Sequence, residues 1–193
     1  MEATDPAPGG NTAAGQLDRP LRYRGLRFPR DAAVLQRDVA RQMEASVWQS
    51  AYTDAAFALA RSDDRAVVLG AGTGHIVAIL AGKLGLRHVW LVEPDGVRRA
   101  YVARLADANG LARLDLLAPD DIATVAPTLL FADLTAGIPP LVLPDTLRAL
   151  ALMAPAAPQP GDIPFAAIDA AGLGYLPEHS REQALVFARP NMA

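Results

Sequence analysis

Cysteine is absent from the 193 residues of this chain, which excludes disulfide scaffolds, thiolate catalysis, cysteine-ligated zinc and iron–sulfur clusters. Lysine is almost absent, and Lys83 is the only candidate for a lysine nucleophile or a Schiff base. The formal net charge is only −3, so we expect no nucleic-acid partner, because phosphate backbones are held by clustered lysine and arginine. Long hydrophobic runs are also missing: none approaches the roughly 20 residues that span a bilayer, and we expect no membrane partner.

The composition that is present belongs to a globular protein, with 51% hydrophobic and 20% charged residues. The first ten residues lack a basic start followed by an apolar stretch, so we expect no secretory leader and a cytoplasmic location. We predict a disordered tail over 1–20, which is rich in alanine, proline and glycine. A helical or lid segment over 21–62 and a main domain over 63–193 follow it.

In the main domain, short continuous apolar runs alternate with segments of helical spacing. The apolar runs predict strands buried on both faces of a parallel sheet, near 66–69, 88–92, 114–117 and 128–132. The intervening helices are expected to stop at Gly85 and Gly110. This alternation predicts an α/β, Rossmann-like, mostly parallel sheet with helices on both faces, closed by an antiparallel hairpin of 174–176 and 184–188.

The remaining segments have weaker patterns. Interleaved arginines and apolar residues predict a short extended or hairpin segment around Gly25. Helical spacing predicts helices over 31–46 and over 53–60, the second capped by Thr53 or Asp54. We also predict a helix over 146–153 and a strand over 165–168. Trp48 and Tyr52 are interpreted as core or lid residues rather than as a cage for substrate.

The strongest functional signal is Val67-Val68-Leu69-Gly70-Ala71-Gly72-Thr73-Gly74, followed by a helix and by Val92-Glu93-Pro94-Asp95. Glycines let the chain turn sharply and bring bare backbone close to a ligand, and the helix start offers unpaired N–H groups. Glu93 comes about twenty residues past the loop, where a carboxylate can accept hydrogen bonds from both hydroxyls of a ribose. The pattern predicts a ligand that contains a nucleoside. The dinucleotide fingerprint requires glycine at the sixth position of the loop, which is His75 here, and no phosphate-loop signature is present.

This Gly-x-Gly-x-Gly loop, with an acid after the next strand, resembles the class I S-adenosylmethionine-dependent methyltransferases. Leu69 to Gly74, Val92-Glu93-Pro94, Ala108-Asn109-Gly110 and Arg24-Gly25-Leu26 are similar to the FkbM-type family. The resemblance covers about Arg24 to Asp133, and more loosely the chain to Arg189. It implies O-methylation of a hydroxyl on a small molecule or sugar, with S-adenosylmethionine as the cofactor.

Residue roles follow from the resemblance by position. It implies that the loop residues Gly70, Gly72, Thr73 and Gly74 bind the cofactor and that Glu93 holds its ribose. Asp115 would contact the adenine, and Asp133, at the end of the fourth predicted strand, would face the methyl group or the substrate. Asp133 alternatively only caps a loop.

Removing a proton from a hydroxyl acceptor needs a base, and the candidates are Asp133 and His75. His75 starts the helix after the loop, where the helix dipole disfavours protonation, or else it only caps or packs beside the loop. No group of His, Asp and Glu has the spacing of metal ligands, so we predict no metal.

Two departures from the family pattern bear on turnover. The family usually has Asp-x-Glu-Gly-x-Glu after the fourth strand, but Asp133-Leu134-Thr135-Ala136-Gly137-Ile138 lacks both glutamates. Trp48 is followed by Gln49, where the family often has a glutamate. A non-catalytic protein that binds the cofactor is therefore the alternative function, and a nicotinamide-dependent oxidoreductase is a more distant one.

Overall fold

The computed structural model of the protein describes residues 19–111, 114–136, 141, 143–159 and 161–190. The strands of this part of the chain are β1 (Leu21–Tyr23), β2 (Leu26–Phe28), β3 (Arg65–Leu69), β4 (His88–Val92), β5 (Leu114–Leu116), β6 (Leu129–Asp133), β7 (Ala149–Met153), β8 (Gly174–Tyr175) and β9 (Ala184–Ala188). Its α-helices are α1 (Arg37–Glu44), α2 (Ser50–Leu59), α3 (His75–Ala78), α4 (Gly96–Asn109) and α5 (Phe165–Ala170). A π-helical turn, Ile79–Lys83, continues α3, and short 3-10 helices occupy Pro119–Val125, Leu134–Ala136 and Pro177–His179.

The main sheet has the strand order β5-β4-β3-β6-β7-β9-β8 within the described residues. β3 is the middle one of the five parallel strands and lies between β4 and β6, with Leu69 paired to both Val92 and Ala132. β5 and β7 extend the parallel pairing outwards, whereas β9 is antiparallel to both β7 and β8. The predicted α/β class, with a mostly parallel sheet and a C-terminal antiparallel hairpin, is confirmed.

The central strands are buried on both faces. Side chains of successive residues in a strand point to opposite faces, so alternate residues of one strand belong to different cores. Val68 belongs to a core on the face covered by α2, α3 and α4, and Val67 and Leu69 belong to a second core that includes Ile168 of α5. A strand with a continuous apolar run places apolar side chains in both cores, which is why such runs predicted these strands correctly. Helices therefore lie on both faces, as expected.

Of the two forms predicted around Gly25, the structure shows the hairpin, with β1 antiparallel to β2, and it is part of the main core. Tyr23 and Phe28 are fully buried in that core, and their rings meet edge to face with centroids 6.0 Å apart. The Asn109 amide at the end of α4 accepts from the Arg27 N–H and donates to the Arg27 carbonyl, at 2.8 and 2.7 Å. This pairing joins Ala108-Asn109-Gly110 to the residue that follows Arg24-Gly25-Leu26, the two outer segments of the family resemblance.

Two predictions in the last third of the chain are wrong. The segment predicted as a helix over 146–153 is the strand β7, whose five residues are all buried between β6 and β9. Tertiary pairing here outweighs the helix propensity of alanine, leucine and methionine. The segment predicted as a strand over 165–168 is α5, which follows Pro164 and buries only Ile168. One buried residue in six suits a surface helix rather than a buried strand.

The two helices before the main domain have different starts from those predicted. α1 begins at Arg37 rather than near Asp31, because Asp31 instead accepts N–H bonds from the turn that follows it. α2 begins at Ser50, before Thr53, and its N-cap residue Gln49 has left-handed backbone with φ of 41° and no capping side-chain bond. Of the predicted disordered tail, residues 1–18 lie outside the described part of the chain.

A buried ion pair joins the starts of the strands, at the edge opposite their carboxyl ends. The guanidinium of Arg148, just before β7, donates to both carboxylate oxygens of Asp64, just before β3, at 2.6 and 3.3 Å. It also donates to the Leu59 carbonyl at the end of α2, and the Thr128 hydroxyl donates to Asp64. Because every partner is part of the framework, we assign this cluster a structural role.

Among the described residues, no helix has both the length and the apolar character that crossing a membrane requires.

Candidate functional site

The glycine-rich loop leaves the carboxyl end of β3 and enters α3. Gly70, Gly72 and Gly74 have φ values of 80°, 52° and 73°, in the region that glycine adopts at little cost. The Gly70 N–H donates to the carbonyl of Val92 at the end of β4, at 2.9 Å. A Cβ atom on Gly74 would lie 2.6 Å from Cδ2 of Leu105, so this glycine also allows the loop to pack closely on α4. The loop geometry therefore depends on glycine at these positions.

Glu93 follows β4 directly, and its carboxylate is buried beside the loop. Oε2 accepts from the Ala71 N–H at 2.6 Å, and Oε1 accepts from the Asp95 N–H at 2.9 Å. Each oxygen keeps a further lone pair, since a carboxylate has about four acceptor positions. Glu93 therefore ties the loop to the neighbouring strand and can still accept hydrogen bonds from a ligand.

Asp133 ends β6, on the other side of the loop. Its Oδ1 accepts from the Thr135 N–H at 3.0 Å and from the Thr135 hydroxyl at 2.5 Å, so the loop-capping alternative is present in the structure. Its Oδ2 faces the loop, 3.6 Å from where a Cβ atom of Gly72 would lie. Glu93 and Asp133 thus flank the glycine loop because β4 and β6 flank β3.

His75 and Thr73 contact each other inside the protein. The His75 Nδ1 lies 3.0 Å from the Thr73 hydroxyl, and the ring packs against Tyr23 and Tyr52 with centroids 6.1 and 6.4 Å apart. Burial lowers the pKa of His75 from its usual 6.5 to about 3, because the charged form loses its hydration. Such a histidine stays neutral but is a weak base, and this geometry favours the packing alternative for His75.

Asp115 is not brought together with these residues. It lies exposed in the middle of the edge strand β5, paired with Trp90 of β4, which is three residues before Glu93. The acidic side chains that follow β5 at the carboxyl edge are Asp120 and Asp121, in the first turn of a 3-10 helix. The apolar pattern of β5 is weak, so the sequence did not show where this strand ends. Asp120 and Asp121 could therefore not be predicted as the residues that follow its carboxyl end.

Tyr52 reaches the same region from α2, although the sequence predicted only a core or lid role for it. Its ring meets Phe131 of β6 edge to face, with centroids 5.4 Å apart. Burial raises the pKa of Tyr52 well above its usual value, and the charge of Asp133 raises it further. No described residue offers its buried hydroxyl a hydrogen-bond partner. No local sequence pattern could show this, because 81 positions separate Tyr52 from Asp133.

In the described ranges, no three His, Asp or Glu side chains lie close enough together to hold a metal ion.

Comparison with known proteins relates this chain to solved structures only. No family model matches it, and no curated protein matches it. A precorrin-6Y C5,15-methyltransferase from Geobacter metallireducens shares 10% identity and a TM-score of 0.53 over 73% of this chain and 88% of that one. A ribosomal protein L11 methylase from Lactobacillus delbrueckii shares 17% identity and a TM-score of 0.52, over 72% and 75% of the two chains. A protein in the NADB-Rossmann superfamily from Streptococcus agalactiae shares 12% identity and a TM-score of 0.51, over 75% and 70%.

At these identities the likeness concerns the fold. The chain has a Rossmann-like fold of the kind found in solved methyltransferase structures.

Proposed function

We propose that this protein is an S-adenosylmethionine-dependent methyltransferase that acts on a hydroxyl group of a small molecule. The observation that carries the proposal is the loop of three left-handed glycines with the buried carboxylate of Glu93 beside it, at the carboxyl end of the central strand. In open α/β sheets, ligands bind at this edge, where neighbouring strands connect to opposite sides. The names of the methyltransferase and the methylase with the same fold support the choice of reaction.

The residues around the loop fit this cofactor. Gly72 leaves open a space beside Asp133 that a side chain would fill, and the bare backbone of the loop can therefore approach a ligand closely. Glu93 would hold the ribose hydroxyls with its free lone pairs, and Gly70 and Gly74 would shape the cradle for the methionine portion. The exposed Asp120 and Asp121 replace Asp115 as the better-placed candidates for the adenine.

When bound, S-adenosylmethionine supplies a methyl group that a nucleophile takes while the sulfur keeps the electron pair of the broken carbon–sulfur bond. The chain's own contribution is to align the acceptor and to take its proton. Asp133 would accept that proton at Oδ2, since Oδ1 is engaged by Thr135. His75 does not suit this role, because its ring is buried against Tyr23 and Tyr52 and its Nδ1 contacts the Thr73 hydroxyl.

The FkbM-type assignment is a finer part of the proposal, and it is supported by the quoted sequence segments and by the pairing of Asn109 with Arg27. A cytoplasmic location and a small-molecule partner also belong to the proposal.

A non-catalytic protein that binds the same cofactor is the second candidate. The observation that favours it is that both candidate bases have internal partners: Asp133 is bonded to Thr135, and His75 is buried against Thr73. A nicotinamide-dependent oxidoreductase is disfavoured by the loop spacing and by the antiparallel β9 between β7 and β8, since the dinucleotide fold has the order 3-2-1-4-5-6.

Calorimetric titration with S-adenosylhomocysteine, S-adenosylmethionine and NAD tests the proposal. We expect micromolar binding of the first two and weak or no binding of NAD. Glu93→Gln should weaken S-adenosylhomocysteine binding at least about tenfold, because a charge-assisted hydrogen bond contributes roughly 1.5–3 kcal/mol. Asp63→Asn is the matched control, since Asp63 is exposed beside the start of β3, at the opposite edge of the sheet.

Absence of S-adenosylhomocysteine binding to the folded protein would contradict the proposal. Binding of S-adenosylhomocysteine without methylation of any hydroxyl acceptor would instead favour the non-catalytic candidate.

A further inference from the structure

The side chain of Thr73, in the middle of the glycine loop, is turned into the protein. Only 5% of Thr73 is exposed, and its hydroxyl lies 3.0 Å from Nδ1 of His75 in a buried contact. The loop from Gly70 to Gly74 contains one other side chain, the methyl group of Ala71, so Thr73 has the only polar side chain of the loop. Its hydroxyl therefore contacts the interior rather than the open side of the loop.

The middle of the loop has few hydrogen bonds. The N–H groups of Gly70, Ala71 and Gly74 donate within the protein, at 2.9, 2.6 and 2.6 Å. Those of Gly72 and Thr73 donate to no acceptor among the described residues. In this part of the chain, the contact with the histidine is the only hydrogen bond that either of these two residues makes. The ends of the loop are thus fixed by their own N–H groups, whereas the middle depends on one side-chain bond.

The ring of His75 is itself confined by aromatic side chains. It is 3% exposed, it meets Tyr23 edge to face with centroids 6.1 Å apart, and it lies tilted against Tyr52 at 6.4 Å. Tyr23 is fixed in turn, because its hydroxyl donates to the Trp48 carbonyl at 2.9 Å and lies 3.0 Å from the Thr53 hydroxyl. A ring confined in this way is a rigid support for the loop.

The polar contact of the His75 ring is at Nδ1, since Nε2 is buried without a partner among the described residues. Burial lowers the pKa of His75 to about 3, so the ring is neutral near pH 7 and carries one proton. Nδ1 accepts from the Thr73 hydroxyl in one tautomer and donates to it in the other, and both directions join the same two atoms. Burying polar atoms costs free energy, and an apolar side chain would fill the same space without that cost. The bond to Thr73 is therefore the specific contribution of a histidine here.

We propose that His75 is a positioning residue of the cofactor site: through the Thr73 hydroxyl it holds Gly72 and Thr73 in the shape that binds the methionine portion of S-adenosylmethionine. This inference rests on the proposed function for the identity of the ligand. The support that His75 gives to the loop follows from the contacts alone, and it can be measured without a ligand.

Three variants of His75 separate positioning from packing, with calorimetric titration of S-adenosylhomocysteine as the measurement. Asparagine places an amide group near the position of Nδ1, glutamine places it one bond further out, and leucine has no polar atom. We expect His75→Asn to bind within about twofold of wild type. His75→Gln and His75→Leu should bind about five- to tenfold more weakly, the effect of one lost hydrogen bond. A packing role predicts the opposite order, because asparagine leaves the largest cavity.

Variants of Thr73 test the other end of the same bond. Thr73→Ser keeps the hydroxyl and should bind S-adenosylhomocysteine like wild type, whereas Thr73→Val keeps the branched shape, loses the hydroxyl and should bind it about five- to tenfold more weakly. The double variant Thr73→Val/His75→Leu should bind no more weakly than either single variant, because all three lack the same bond. Thr128→Val is the matched control: its hydroxyl donates to Asp64 at the opposite edge of the sheet, so binding should not change.

Nitrogen-15 relaxation of the ligand-free protein measures the support of the loop directly. We expect the order parameter of the Gly72 N–H group to be about 0.85, the value of rigid backbone, in wild type and in His75→Asn. In Thr73→Val and His75→Leu it should fall below about 0.6, the range of flexible backbone.

The inference is overturned if Thr73→Val matches wild type in affinity and in the Gly72 order parameter, if affinity follows the size of the side chain at position 75, or if the losses of the two single variants add in the double variant. Failure of wild type to bind S-adenosylhomocysteine would contradict the proposed function, and with it the cofactor role of His75. The Gly72 order parameter would then still decide whether His75 holds the loop.

Discussion

Replacing His75 with asparagine should flatten the dependence of stability on pH. His75 has a folded-state pKa of about 3, against 6.5 for an unperturbed histidine. Between these values the unfolded chain binds a proton that the folded protein does not, so stability rises with pH in this window and is fully present above pH 6.5. Asparagine does not titrate, and its amide can replace the contact of Nδ1 with Thr73.

The magnitude follows from the two pKa values. Each unit of pKa difference is worth about 1.36 kcal/mol, and at pH 5 the unfolded histidine is about 1.5 units below its pKa. Between pH 8 and pH 5, wild type should therefore lose about 2 kcal/mol of unfolding free energy through this histidine alone. The variant should lose none of it, whatever constant offset its smaller side chain adds.

Urea denaturation at several pH values from 8 to 5 measures this difference. The other histidines and all the carboxylates are present in both proteins, so their titration cancels in the comparison. Parallel stability curves for wild type and His75→Asn would refute the reasoning, because they would mean that the buried ring accepts a proton in the folded protein.

Two further predictions concern the glycine loop and the opposite edge of the sheet. Gly74→Ala should lower the unfolding free energy by about 2–5 kcal/mol, because the cost of a left-handed backbone and the cost of a clash with Leu105 add together. Gly110 is also left-handed but has open space around it, so Gly110→Ala should lower the unfolding free energy by only about 1–2 kcal/mol. Equal losses for the two variants in urea denaturation would contradict the packing explanation. Arg148→Met should cost about 3–5 kcal/mol by leaving the Asp64 carboxylate buried without its ion-pair partner. The double variant Asp64→Leu/Arg148→Met should recover most of that loss, and a double variant as unstable as the single one would show that packing, not charge, holds this edge.

The central part of the fold could be predicted because its sequence pattern is local. Each parallel strand is buried on both faces and therefore reads as a continuous apolar run, as in Ala66 to Leu69. Gly110 could be predicted as a helix end because the left-handed backbone that ends a helix is one that glycine adopts without a steric penalty.

The last third could not be predicted in the same way. Ala149 to Met153 has a composition that suits a helix, and only its position between β6 and β9 makes it a strand. The segment of α5 is short and carries one buried residue, Ile168, so its apolar periodicity is too weak to separate helix from strand.

The candidate site divides along the same line. By itself, the sequence determined the glycine loop and the acid after the next strand, because the turn and the strand ends follow from residues close together in the chain. Only the tertiary structure decided the rest. β6 pairs beside β3 and so brings Asp133 to the loop, and burial between two tyrosines makes His75 a weak base. Tyr52 and Glu182, which are 130 positions apart in the chain, line one cavity. Such contacts depend on how distant segments pack, which no local pattern encodes.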